Sequence, residues 1–382
     1  MSLPLLFTPL DLRGVRLPNR VAIAPMCQYS ATDGMAGDWH FAHLAKFAIG
    51  RAGLVFTEAT AVEAAGRITH GDLGIWSDAH IAPFQRIAAF IKSQGSVPAM
   101  QLAHAGRKAS MQRPWFGNGP LDEADRARGD RAWDIVAPGD NPIGPDWLKP
   151  HALALPELAR IRQSFVDAAR RAERAGFEVI ELHSAHGYLL HTFLSPLSNP
   201  RTDAYGGSLE NRMRFPLEVA RAVRGAWPED KPLFVRISSV DDVEGGWGIE
   251  DSVIYAGELK KLGVDVIDCS SGGIQGSATA AVKPITPRVP GFQLPFAASV
   301  KAGAGIRTMA VGLILDGPQA EEALQAGQAD IIAIGREALF DPHWALHAAR
   351  ALGADPEFAL WPEQYGWWLT RRQPLIDKAG KR

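Results

Sequence analysis

The sequence predicts a single-domain (β/α)8 barrel, and three observations carry that expectation. Eight short runs rich in β-branched and apolar residues recur along the chain, helical patterns lie between most of them, and each run ends in polar or glycine residues. The runs are nearly continuous in apolar character, as strands buried on both faces are. Such strands alternating with helices argue for a closed parallel barrel. A doubly wound open sheet is the alternative, weakened by the lack of a GxGxxG turn after the first strand.

Taken in order, the first 20 residues, with a turn-like Arg13-Gly14, are expected to form a hairpin over the barrel floor. Strands are expected at VAIAPM (21–26), GLVFTEAT (53–60), VPAMQLAH (97–104) and EVIELH (178–183), then at LFVRIS (233–238), VDVIDCSS (264–271), TMAVGLI (308–314) and DIIAIGR (330–336). The clearest helix is LPELARIRQSFVDAARRAERAGF, where Leu158, Ile161, Phe165, Ala168 and Ala172 share one face and Gly176 ends the pattern. Residues 212–226, 251–262 and 317–327 behave alike. Residues 105–150, rich in proline, glycine and aromatics, form a long excursion after the third strand, and their run DEADRARGDRAWD is simplest as a solvated surface. Residues 341–382 form a C-terminal extension near the site, and nothing marks a second domain.

Composition narrows the function classes. The chain has 382 residues, 46% of them apolar, and a formal net charge of −2, which supports a large core and leaves no basic footprint for nucleic acid. Two cysteines, Cys27 and Cys269, exclude a disulfide scaffold and argue against a protein-held iron–sulfur cluster. No basic leader precedes the first apolar run, and no uncharged run approaches the roughly 18 residues of a membrane span. The expectation is a cytoplasmic protein with no membrane partner.

In such a barrel the active site lies at the C-terminal ends of the strands, so polar groups there carry the most information. Strand one runs into Cys27-Gln28-Tyr29, strand two into Glu58-Ala59-Thr60, strand three carries Gln101 and His104, and strand four ends in His183, His186 and Tyr188. Strand five carries Arg236, whose burial demands a carboxylate or an anionic ligand. Strands seven and eight run into Gly312 and into Gly335-Arg336, where bare backbone and a fixed positive charge suit a phosphate. The stretch HSAHGYLLHTFLSP allows three readings. A metal site would need a third ligand such as His191 or Cys27, and carboxylate-rich or HExxH signatures are absent. A packed loop needs no ligand at all. Two neutral imidazoles aimed at one carbonyl or nitro oxygen would form an oxyanion clamp, with Tyr188 as proton donor beside them.

Several motifs resemble one family along essentially the whole chain: LPNRVAIAPMCQYSA, IWSDAHI, QLAHAGRKAS, HSAHGYLLHTFLSPLSNPRTDAYGGSLENRMRF, EGGWGIEDSV, PGFQLPFA and IGREALFDPHW. They resemble the Old Yellow Enzyme family of FMN-dependent ene-reductases, closest to the class of xenobiotic reductase A and the thermophilic-like enzymes. The resemblance implies non-covalent FMN across the strand ends, NADPH as hydride donor and an electron-poor alkene over the flavin. It implies that His183 and His186 bind the activating oxygen of the substrate and that Tyr188 protonates the neighbouring carbon. Cys27 would tune the flavin, Tyr29 would touch substrate, and Gln101 and Arg236 would contact the ring. Backbone at Pro25, Met26 and Ala59 would line the ring and ribityl chain, while Gly312, Gly335 and Arg336 would hold the phosphate. The family pattern places an arginine near the C-terminus where this chain has Trp367 in PEQYGWWLTRR, so an aromatic wall from Trp368 is expected in place of a shared arginine finger, with Arg371 or Arg372 as substitutes. The resemblance also implies a homodimer or homotetramer. A metal-dependent barrel lyase using His183 and His186 as ligands is the alternative function.

Overall fold

Along a strand successive side chains point to opposite faces, so in a barrel every second residue faces the interior and the rest face the helices. The computed structural model describes residues 3–276 and 285–380, and its apolar residues divide in this way. A hairpin of β1 (Leu10–Leu12) and β2 (Val15–Leu17) precedes the barrel. Its strands are antiparallel, with Leu10 opposite Leu17. The closed barrel runs β3 (Val21–Ile23), β4 (Leu54–Ala61), β5 (Val97–Ala103), β8 (Val179–Ser184), β9 (Leu233–Ser238), β10 (Val266–Ser270), β11 (Arg307–Ala310) and β12 (Ile331–Ile334), the last pairing back onto β3. All eight expected strands are present, each pairing in parallel.

The lower interior is filled by Leu54, Phe56, Val97, Ala99, Val179, Phe234, Val266, Met309 and Ile331, and the hairpin residues Leu10, Leu12 and Leu17 close it from below. Arg13 anchors the hairpin tip to Asp265 at 2.7 Å and to the carbonyl of Gly263, at the N-terminal ends of the strands. The outward residues, Val55, Met100, Ile180, Val235, Ile267 and Cys269 among them, join the larger core beneath the helices. Cys269 is thus an ordinary buried small hydrophobe.

The helices are α1 (Asp38–Ile49), α2 (Ile81–Ser93), α3 (Glu123–Ala127), α4 (Leu155–Arg174), α5 (Leu189–Leu194), α6 (Leu209–Ala226), α7 (Ile249–Lys261), α8 (Leu294–Ala304), α9 (Gly317–Gln325), α10 (Arg336–Phe340), α11 (Trp344–Ala351) and α12 (Glu363–Ala379). In α4 the expected face of Leu158, Ile161, Phe165, Ala168 and Ala172 is the buried one. The excursion after β5 holds α3 and the two-residue strands β6 (Val136–Ala137) and β7 (His151–Ala152), which pair with each other. Its charge run is not wholly solvated. Asp125 is buried, accepting from Gln112 at 2.7 Å and from the backbone N–H of Asp122 at 2.9 Å, because its carboxylate closes a turn that the run's alternating signs do not reveal. Among the described residues no helix is long and apolar enough to cross a membrane.

Candidate active site

At the C-terminal ends of the strands lies a cavity of about 620 Å³, within the usual range for a ligand site. Pro25, Met26, His186, Arg236, Gly312, Gly335 and Arg336 all line it. Gly312 adopts φ +121, and a side chain there would strike Gln293 Nε2 at 2.7 Å, so the position admits only glycine. At Gly335 a side chain would meet only the Met26 sulfur at 4.0 Å; its bare backbone therefore faces open space. Arg336 is exposed and forms no ion pair or hydrogen bond among the described residues. Bare backbone beside an unpaired guanidinium is a setting for a phosphate.

His183 and His186 stand edge to face, ring centroids 5.2 Å apart, and His183 packs against Tyr188 at 4.8 Å in the same manner. Burial first, then the positive charge of Arg236, holds both imidazoles well below their usual range, so they are neutral. The backbone N–H of Ala185 donates to His183 Nδ1 at 3.3 Å, which leaves the proton on Nε2. His186 has φ +59, a conformation secured on several sides. Its N–H donates to Ser238 Oγ at 2.9 Å, and buried Lys108 donates to its carbonyl at 2.7 Å and to that of Gly273. Burial, then Arg107, lowers the Lys108 ammonium to about 7. His191, on α5 just after this loop, does not belong to the site: it accepts from the N–H of Gly187 and lies 2.9 Å from Asp241, both partners fully buried. Among the described residues no group of three or more His, Cys, Asp or Glu is placed to hold a metal ion.

Tyr188 sits over a small gap also lined by Ala59 and Asp72. Burial raises the Tyr188 phenol well above its usual range, with Cys27 and Asp72 adding to the effect. Cys27 and Tyr29 lie beside it, and burial, reinforced by Glu58 and Asp72, pushes the Cys27 thiol well up. Their turn, with Tyr29 at φ +49, is held by Glu58, whose Oε2 accepts the N–H of Gln28 at 2.9 Å while His40 lies 3.3 Å from Oε1. The strand register shifts between Phe56 and Ala59, a bulge that accompanies the turning of Glu58 toward this loop. Gln101 is buried and reaches Glu181, and Arg236 lies 3.2 Å from Asp268. Both resolutions of a buried arginine therefore coexist: a carboxylate on one side and the cavity on the other.

Trp368 is not brought to this cavity. It stands on α12, 66% exposed, edge to face with Trp367 at 4.5 Å. Sequence reasoning placed Glu58 and Ser270 at strand ends without a role, and passed over His40, Asp72, Lys108, Glu181 and Asp268. The available signal was a charged residue inside an otherwise apolar strand run, as in EVIELH and VDVIDCSS.

Comparison with known proteins decides the family. Residues 5–354 match the NADH:flavin oxidoreductase / NADH oxidase family. The chain belongs to this family. It is similar to an NADPH dehydrogenase of Bacillus subtilis (strain 168), 44% identical over 366 residues that span 95% of this chain and 99% of that one. An NADPH dehydrogenase of Geobacillus sp. (strain WCH70) is 43% identical, spanning 95% and 98%. Among solved structures, morphinone reductase superposes with a TM-score of 0.74 at 27% identity, covering 92% of this chain and 90% of that one. The chain is accordingly a flavin oxidoreductase of Old Yellow Enzyme type, a family whose members use FMN and NAD(P)H.

Proposed function

We propose that this oxidoreductase reduces activated C=C bonds of enones, enals, maleimides and nitroalkenes with NADPH. The observation that carries the proposal is the ring cluster of His183, His186 and Tyr188, which joins through His186 a cavity also lined by Arg236, Gly312, Gly335 and Arg336. The cavity residues fit FMN: Arg336 with the bare backbone at Gly312 and Gly335 would hold its phosphate. Backbone at Pro25, Met26 and Ala59 would line the ring and ribityl chain, and Gln101 and Arg236 would meet the pyrimidine end. FMN, when bound, supplies hydride from N5 to the substrate Cβ.

The protein's part is positioning and proton transfer. Neutral N–H groups of His183 and His186 donate to the substrate oxygen, where negative charge builds as Cβ is reduced. Each such donor contributes about 2.7–4 kcal/mol to a transition state. Tyr188 keeps its proton at neutral pH and delivers it to Cα, then recovers one from solvent. Tyr29 touches substrate, and Cys27, held as a neutral thiol, adjusts the flavin's surroundings. NADPH uses the same cavity before the alkene enters, which gives ping-pong turnover.

We further propose a cytoplasmic homodimer or homotetramer. The exposed Tyr365, Trp367 and Trp368 on α12 support an interface there, through which a neighbouring copy's Trp368 would wall the substrate site. The two free cysteines suit a reducing compartment.

Phenol binding to the oxidised holoenzyme tests the clamp. In His183→Ala or His186→Ala its Kd should rise at least tenfold with FMN content retained. Unchanged affinity in both variants would overturn the assignment.

A further inference from the structure

One level above the apolar floor, the barrel interior becomes charged. The inward side chains of β5, β8, β9 and β10 at this level are Gln101, Glu181, Arg236 and Asp268, each no more than 8% exposed. They sit two residues along from Ala99, Val179, Phe234 and Val266 of the layer below. Gln101 Nε2 donates to Glu181 Oε1 at 2.7 Å, and Arg236 Nε lies 3.2 Å from Asp268 Oδ2. Register sets Gln101 beside Glu181 and Asp268 beside Arg236, while between β8 and β9 Glu181 pairs with Phe234 and Arg236 with His183.

A layer of two carboxyls and one guanidinium does not look built for stability. Buried ion pairs are often replaceable by apolar side chains at no loss. Here Glu181 Oε2, both Asp268 oxygens and Arg236 Nε also lack a hydrogen-bond partner of good geometry, an expensive condition in a dry interior. Like charges this close cannot both be ionised away from water. Burial raises both carboxyls, Glu181 well up with Asp268 adding to the effect, and Arg236 counteracts the rise at each. The pair therefore holds one proton and one negative charge between them, and the layer sums to zero with Arg236.

We propose that Glu181 and Asp268 are positioning residues for the flavin, holding Gln101 and Arg236 toward its pyrimidine end and sharing one negative charge that limits how strongly Arg236 favours reduced over oxidised FMN. This rests on the assignment of Gln101 and Arg236 to that end of the ring. Arg236 lines the cavity directly above the pair, so charge removed from below is felt by a ligand that gains negative charge on reduction.

The test is the flavin midpoint potential of the holoenzyme in Glu181→Gln, Asp268→Asn and the double variant. The double variant leaves Arg236 uncompensated and should favour reduced over oxidised FMN at least tenfold more than wild type, about 30 mV for a two-electron couple. Either single variant leaves one carboxyl to carry the charge and should move the potential by less than half as much. A double variant with the wild-type potential, or single shifts that add up to the double, would overturn the inference. Should the double variant not fold, the reduced-minus-oxidised infrared spectrum decides. Wild type should show a protonated-carboxyl C=O band that responds to flavin reduction and is missing in Glu181→Gln, and a wild-type spectrum without it counts against the shared charge. A wild-type protein that does not bind FMN would instead defeat the reading of the cavity itself.

Discussion

Ser270 Oγ lies 2.7 Å from His186 Nε2, and this contact decides which nitrogen of the ring serves the cavity. Ser270 has one proton to give, and its other acceptor, Gln293 Oε1, is 3.3 Å away and already takes a hydrogen bond from Ser271 at 2.9 Å. The proposed clamp requires that Ser270 donate to Nε2, so that the imidazole proton resides on Nδ1 and can be given to a substrate oxygen. Ser270→Ala should release this preference and weaken phenol binding roughly fivefold, the worth of about 1 kcal/mol. Calorimetric titration of the holoenzyme checks it, and wild-type affinity in the variant would remove the serine from the clamp.

Tyr188 is 6% exposed and its phenol is held protonated by burial, as an acid must be before it acts. Tyr188→Phe should slow reoxidation of the reduced enzyme by an enone about 10²-fold or more, the scale of general acid catalysis. Flavin reduction by NADPH needs no proton from this residue and should keep its rate. Stopped-flow measurement of the two half-reactions separates them, and equal slowing of both would point to a merely structural tyrosine.

Burial raises the Cys27 thiol, and the charges of Glu58 and Asp72 add to the effect, so the reactive thiolate is scarce at neutral pH. Alkylation by iodoacetamide at pH 7.5 should run well below the rate of a small-molecule thiol. Reaction faster than that reference would mean a thiolate and a different electrostatic setting around the flavin face.

Stability carries its own pH signature. Burial, with Lys46 and His40, lowers His43 to about 3, while the unfolded chain titrates near 6.5. Below pH 6.5 the unfolded state binds the proton and the native state does not, so this residue's contribution is complete above that pH and is lost as pH falls toward 3. Between pH 7 and 4.5 wild type should lose roughly 2–3 kcal/mol that His43→Gln does not. Urea unfolding at both pH values measures the difference, and a gap independent of pH would contradict the assigned burial.

Much of this could be seen beforehand, for physical reasons that differ by element. The eight strands announced themselves because a barrel buries both strand faces, and His183, His186 and Tyr188 because they lie at the end of β8 or directly after it. The same double burial hides the interior layer: in EVIELH nothing distinguishes the inward Glu181 from an outward residue until the barrel closes and Leu182 joins the helix-facing core. Asp125 and His191 read as surface charge and possible ligand, yet both are consumed by local structure through contacts invisible in spacing. Trp368 stands exposed on α12, away from the cavity, a placement that residue spacing alone does not reveal.

The most direct test of the central claim is an anaerobic absorption spectrum of the purified protein, followed by NADPH and then 2-cyclohexenone. Oxidised flavin bands that bleach with NADPH and return with the enone are the predicted result, joining cofactor, donor and reaction in one experiment. A protein that binds FMN and is bleached by NADPH but is not reoxidised by any enone, enal or maleimide would contradict the role given to His183, His186 and Tyr188.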